Sequence, residues 1–349
     1  MRTNVSGLGL QPPRRRAMDR ITPYLRRWET LLLVTLLVVI AVNAAAVPGY
    51  LGLTNQSNLL ELSLEKAIVA LAMAFVIISG EIDLSVASVM GLCAVVMAVT
   101  WQNDLPIELA VILAVVVGAL CGLFNGFWVA VVGLPSLAVT LAGLIGYRGL
   151  AFFFIEGEFI YDLPQHFKDF AQAEFIGPAP MSIFFYVILL VGAVILLHTS
   201  GFGRYVYAIG NNRQAAFYSG VRVVRTKMAI FMMSGIAAAI AGVIIAARFG
   251  AVRGSTAEGF ELEIITMVLL GGVSIFGGSG TMIGVFLATL LVLNLRNGMD
   301  LASINGIVQI GVVGLLLILS VLLPNVGSAI RSRLDAQRTR AEKAAATSD

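Results

Sequence analysis

Cysteine, histidine and charge are all scarce in this chain, and each scarcity removes a class of function. Cys93 and Cys121 are the only two cysteines, and each sits inside an apolar run. They read as reduced packing residues, with no disulfide framework or thiolate metal site. His166 and His198 are distant from each other and from both thiols, so no metal constellation is expected. None of the four lysines, Lys66, Lys168, Lys227 and Lys343, follows a glycine, so the chain has no Gly-Lys-Ser/Thr phosphate loop and is expected to hold neither ATP nor Mg itself. Residues 271–280, Gly-Gly-Val-Ser-Ile-Phe-Gly-Gly-Ser-Gly, lack the strand that such a loop needs and read as a tight connection between packed helices. No nucleophile and base stand at triad spacing, so a non-catalytic protein with no cofactor and no nucleic-acid partner is expected.

What is present is apolar sequence. Hydrophobic residues make up 58% and charged residues 12% of the 349, and mean hydropathy is +0.93, which a soluble core with a polar shell cannot share. A crossing needs about 20 apolar residues. Ten segments approach that: 30–47, 62–79, 84–100, 107–131, 137–155, 182–198, 228–247, 262–275, 281–295 and 303–323. The expectation is an all-α polytopic membrane protein. A basic segment of residues 1–29 precedes the membrane domain of residues 30–330, and a tail of residues 331–349 follows it. The run from Arg14 to Arg27, followed by apolar residues 31–42 and small residues 43–47, resembles a signal peptide, but an uncleaved first helix is the reading preferred here.

Orientation follows from charge. Residues 201–227 carry Arg204, Arg213, Arg222, Arg225 and Lys227 with no acid, which places that loop in the cytoplasm. Both termini are basic and read as cytoplasmic too. The stretch around residues 157–180 carries Glu156, Glu158, Asp162, Asp169 and Glu174 against one lysine, and counting crossings puts it outside. Gly118, Gly122 and Gly126 recur at intervals of four in the fourth segment, and Gly280, Gly284 and Ala288 do so in the ninth. Such seams permit close helix contact. They also suggest an inverted repeat relating segments 2–5 to 7–10, although small residues recur in any membrane bundle.

Two elements carry candidate chemistry. Glu81 and Asp83 lie between apolar runs, where carboxylates are expensive unless paired, solvated or used. Asp83, assisted by Ser85, is placed to cap a helix from residue 84, or to line a polar path beside that helix end. Asn125, Thr140 and Asn294 are further candidates for touching a hydroxylated solute; other polar residues of the spans, such as Ser136, Tyr147, Arg148, Arg296, Asn297 and Gln309, read as interhelical bonds or anchors. The second element is residues 211–220, with an asparagine of the Asn211-Asn212 pair as a candidate helix cap, a short helix through Arg213, Gln214, Ala215 and Ala216 towards Ser219, and Gly220 as its stop. It reads either as an anchor to anionic lipid or as a small helix pressed into a partner's groove by Phe217 and Tyr218.

Several ordered motifs together resemble the membrane permeases of bacterial ATP-binding-cassette sugar importers, the group that includes ribose, xylose, arabinose, rhamnose and autoinducer-2 permeases. They are Gly80-Glu-Ile-Asp-Leu-Ser-Val86, Gly122-Leu-Phe-Asn-Gly126, Leu134-Pro-Ser-Leu-Ala-Val-Thr-Leu141 with Tyr147-Arg148-Gly149, Gly203-Arg-Tyr-Val-Tyr-Ala-Ile-Gly210 with Ala215, Ala216, Ser219 and Gly220, and Gly271-Gly272 through Gly284. The resemblance implies a multi-pass permease of the bacterial inner membrane, paired with a second permease subunit. It further implies two cytoplasmic ATPase subunits that bind ATP and Mg, and a periplasmic sugar-binding protein. Residues 213–220 then become the segment that couples to the ATPase, and the solute becomes a pentose, a deoxyhexose or autoinducer-2. A carrier of another class, in which Glu81, Asp83 and Glu263 bind or relay a coupling cation, is the competing expectation from the residues alone.

Overall fold

The structure is a computed structural model and describes residues 28–61, 64–156, 159–172, 174–176 and 179–322. The expected basic segment before residue 28, the tail after residue 322, Glu158 and the start of the second apolar segment lie outside the described residues. Its helices are α1 (Trp28–Ala46), α2 (Leu53–Glu61), α3 (Leu64–Ile78), α4 (Val86–Gln102), α5 (Ile107–Phe127), α6 (Ser136–Ile155), α7 (Gln165–Gln172), α8 (Met181–His198), α9 (Gly201–Asn211), α10 (Arg213–Tyr218), α11 (Val223–Phe249), α12 (Phe260–Leu270), α13 (Met282–Leu301) and α14 (Gly306–Leu322). A two-stranded antiparallel ladder, β1 (Glu174–Ile176) with β2 (Ala179–Pro180), lies between α7 and α8.

Each of the ten apolar segments contains a helix among the described residues, which establishes the all-α polytopic class. Their lengths differ more than the sequence suggests. Among the described helices α1, α5 with its extension, α6, α11 and α13 are long and apolar enough to cross alone. The pair formed by α8 and α9 is long and apolar enough only when taken together, and it bends by 65° at a short break. Helices α3, α4 and α12 hold 15, 17 and 11 residues and are flanked by irregular chain, so they are the broken elements. Local sequence sets several ends. Pro106 and Pro135 occupy the positions before α5 and α6, where a missing amide proton costs no helical bond. After α5 a π-helical turn, Trp128–Val132, closes on Gly133 at φ 85°.

Helix α3 is the hub, with every residue from Leu64 to Ile78 buried. It packs against α8, α11, α12 and α13, while α4 packs against α5, α6 and α11. The outer helices α1, α5, α6, α8 and α14 expose large apolar side chains such as Leu37, Ile112, Phe124, Ile145, Ile188 and Ile310. An apolar outer surface of this kind suits contact with hydrocarbon. Exchanging α3, α4 and α5 with α11, α12 and α13 maps the α4–α11 contact onto α12–α3 and α4–α5 onto α12–α13, and all four are packed pairs.

At the first glycine seam α5 lies close against α11. A side chain at Gly122 would collide with the Phe231 carbonyl of α11, and a Cβ at Gly126 would lie 3.2 Å from the Met228 Cα. At Gly118 the same atom would stand 2.6 Å from the Ala239 Cβ. The second seam is shorter than the sequence implies. Gly284 abuts the Gly271 carbonyl, but Gly280 has φ 143° and precedes α13 in the loop, so it belongs to a turn and not to the helix face.

Candidate functional site

Chain breakage between α3 and α4 creates a buried polar point inside the bundle. Gly80 turns the chain at φ 83°, and α4 starts at Val86, two residues later than an Asp83 cap would require. Ser85 occupies the cap position without a side-chain capping bond. Asp83 instead folds back on its own turn: its Oδ1 accepts from the Ser85 amide at 3.0 Å and the Ser85 hydroxyl at 2.6 Å. Its Oδ2 accepts from the Ser234 hydroxyl of α11 at 2.9 Å. Asn125 of α5 then donates to Ser85 Oγ at 2.9 Å, and the Tyr147 hydroxyl of α6 donates to Asn125 Oδ1 at 2.9 Å. Thr140 and Ser136 complete the enclosure, since the Thr140 hydroxyl reaches the Ile82 carbonyl at 3.2 Å and the Ile82 amide donates to Ser136 Oγ at 3.2 Å.

Four chain segments, the turn itself with α5, α6 and α11, therefore meet through hydrogen bonds around a carboxylate that is 2% exposed. A buried polar network of this sort fixes relative helix position because each member has its partner. Beside it, α5 and α6 frame a groove of 730 Å³ walled by Phe124, Trp128, Pro135 and Gly143, with Asn125 and Tyr147 as its polar points.

Of the residues singled out by sequence, Asp83, Ser85, Asn125 and Thr140 come together here. Glu81 turns away and forms an ion pair with Lys227, whose side chain is 4% exposed in the first turns of α11. Lys227 is thus a buried helix residue, a correction to its place in the basic loop. Asn294 stands elsewhere, accepting from the Tyr50 hydroxyl at 2.5 Å, while its backbone carbonyl accepts from Asn43 at 2.8 Å. Glu263 is paired with Lys66 and Arg296, and Glu65 with Arg248. Lys66, Arg248 and Tyr50 were not legible as partners, because each pairs with a residue more than 180 positions away in the chain. Among the described residues no cluster of three or more His, Cys, Asp or Glu is placed to hold a metal ion.

The basic segment is built as two helices and not as a loop. Ser200 caps α9 by accepting from the Gly203 amide, and of the two adjacent asparagines it is Asn212 that caps α10 by accepting from the Ala215 amide. Ala216 is buried with Ile209 and Val223, whereas Arg213, Gln214, Ala215, Ser219 and Gly220 are exposed. Phe217 and Tyr218 are 65% and 85% exposed, with Gly220 ending the element at φ 83°. A groove of 380 Å³ runs beside them, walled by Phe217, Val221, Arg222, Val224 and Arg225.

A glycine junction links this segment to the Asp83 turn. At Gly210 a Cβ would collide with the Ile78 carbonyl at the end of α3 and stand 2.5 Å from the Gly278 amide nitrogen. At Gly277 it would meet the Gly80 Cα at 2.8 Å. The Gly278 amide donates to the Ile78 carbonyl at 2.8 Å, the Tyr207 hydroxyl donates to the Gly280 carbonyl at 2.8 Å, and Asn211 donates to the Gly278 carbonyl at 3.2 Å. Three backbones touch here with no side chain between them. Rotation of α9 therefore has little slack before it moves the end of α3.

Residues 55–321 match the family described as the branched-chain amino acid transport system / permease component. The chain is 36% identical over 306 residues to the autoinducer 2 import system permease protein LsrD of Photorhabdus temperata, covering 84% of this chain and 90% of that protein. It is 37% identical over 306 residues to the proteins of that name from Escherichia coli K12 and Shigella flexneri, covering 84% of this chain and 91% of each. No solved structure matches it.

Proposed function

This chain belongs to the permease family of the branched-chain amino acid transport system type and is a non-catalytic, multi-pass inner-membrane subunit of a bacterial ATP-binding-cassette importer; on that premise we propose that it moves a small hydroxylated solute of the monosaccharide class by alternating access. The solute class is a pentose or deoxyhexose. Autoinducer-2 is the second reading, favoured by the names of relatives that are 36–37% identical.

The observation that carries the mechanism is the unbroken backbone contact from α9 through Gly210 to the end of α3 and the Asp83 turn. Helix α10, with its exposed Arg213, Gln214, Ala215, Phe217 and Tyr218, is the surface on which a cytoplasmic ATPase docks. Closure of that ATPase tilts α9 and α10, the junction passes the tilt to α3 and α4, and the glycine seam between α5 and α11 slides to open the polar turn to one side at a time. A second permease copy or sibling covers an apolar outer face, and a periplasmic binding protein delivers the solute. The inverted repeat of α3–α6 and α11–α14 supplies the two arrangements, a reading that the exchangeable helix contacts support. Coupling by a cation finds less support, because Glu81 is paired with Lys227 and both Asp83 oxygens already accept hydrogen bonds.

The test is reconstitution with the ATPase and binding protein in vesicles. Replacing the buried Ala216 by Arg, or Gly220 by Glu, should abolish ATP-driven uptake and ATPase association while membrane insertion persists. Full uptake in both variants would remove the docking role, and uptake driven by an ion gradient without ATP would replace the whole reading with a carrier.

A further inference from the structure

Far from the docking segment, the helix ends meet around a second polar cluster that the transport mechanism above does not use. Lys66 lies 12 residues before Ile78 on α3, roughly 18 Å from the glycine junction at about 1.5 Å per residue. Its ammonium pairs at 2.9 Å with Glu263 Oε2 of α12 and stands 4.3 Å from the centre of the Phe260 ring. Arg296 of α13 pairs with that same oxygen. The other oxygen, Glu263 Oε1, is buried and has no hydrogen-bond partner, on a side chain that is only 7% exposed. Alongside lies a cavity of 390 Å³ lined by Lys66, Glu263, Arg296, Asn297, Asp300 and Gln309.

The chemistry of a group that would fit follows from the charges that line the cavity. Two cations share the Glu263 carboxylate, so an added anion would face that carboxylate and an added cation would face Lys66 and Arg296. Asp300 accepts from Gln309 at 2.6 Å. The lining sets guanidinium and amide donors of Arg296, Asn297 and Gln309 beside the carboxylates of Glu263 and Asp300, and a neutral hydroxyl, which both donates and accepts, suits that mixture. The cavity volume falls within the range of about 300–1,000 Å³ usual for small-molecule sites. We propose that this cavity binds a small neutral polyol, holding the transported solute at the end of the bundle opposite the docking helix before it reaches the Asp83 turn. The proposal rests on the monosaccharide-class reading above and adds the place where the solute is first held.

Gly306, in the first turn of α14, also lines the cavity, and a Cβ there would meet nothing within 4 Å. Substitution at that position enters the cavity without disturbing an ion pair. In the complex embedded in lipid nanodiscs, Gly306→Cys should react with a charged thiol reagent, while Cys93 and Cys121 stay buried and silent. Millimolar D-ribose, D-xylose or L-rhamnose should slow that reaction at least fivefold, and sodium chloride at equal concentration should not. Gly306→Trp should lower sugar uptake at least tenfold with unchanged thermal transition and ATPase association. Uptake by the unaltered complex without protection at Gly306→Cys, or with full transport by Gly306→Trp, would overturn the cavity assignment and leave the transport reading standing. Absence of uptake of any hydroxylated solute by the unaltered complex would remove both.

Discussion

The two ends of α3 are held in opposite ways. At Ile78 the contact is backbone on backbone, made by Gly80, Gly210, Gly277 and Gly278 without intervening side chains. At Lys66 it is side chain on side chain, made by long charged groups that reach between helices. Close backbone contact transmits displacement because no rotamer can absorb it. Ion pairs on flexible stems can lengthen, exchange partners and re-form. The Ile78 end is thus the stiffer of the two and the Lys66 end the more compliant.

The sharpest way to break that contrast is Lys227→Met, which strands Glu81 beside the rigid end. Removing one partner of a buried pair costs about 3–5 kcal/mol, so a large fall in the thermal transition of the purified protein is expected, with partial recovery in Lys227→Met/Glu81→Gln. Gly210→Ala comes next, because its methyl collides with the Ile78 carbonyl and overpacking costs roughly 1–3 kcal/mol. ATP-driven uptake should fall more than stability does, and equal losses would mean that the junction only packs. At the flexible end Lys66→Met should be milder, since Glu263 keeps Arg296. Its cost should be that of one charged hydrogen bond, about 1.5–3 kcal/mol at most, and a penalty exceeding that of Lys227→Met would invert the comparison. Smallest is Ser234→Ala, which removes one of three bonds to Asp83 and should cost about 0.6 kcal/mol, the average of interhelical hydrogen bonds in membranes. Measured uptake at saturating solute decides whether that bond serves more than stability.

Much of the membrane fold was legible because hydrocarbon imposes a strict rule. Apolar runs of crossing length had to become helices, and Gly118, Gly122 and Gly126 had to find a close neighbour. Asp83, Ser85, Asn125 and Thr140 could be named as a set because polar residues in apolar runs are costly without a use. Their mutual arrangement could not, since Ser234 and Tyr147 complete the network from helices remote in sequence. The start of α4 lies two residues beyond an Asp83 cap, and the choice between Asn211 and Asn212 as the cap of α10 is made only by the fold, because polar residues so close in sequence compete for one cap. Gly280 was assigned to a helix seam by periodicity alone, which does not distinguish a helix face from a glycine turn.

The amino-acid order by itself determined that this chain would be a helical membrane protein, with one basic segment and a few carboxylates at its helix breaks. Composition and period act locally, and the bilayer enforces them. Tertiary structure alone decided that Glu81 would be neutralised by Lys227, that Asn294 would bind Tyr50 and not face Asn125, and that Lys66, Glu263 and Arg296 would share a cavity. Such pairings depend on which helices become neighbours, and that is settled by packing small residues over the whole bundle at once.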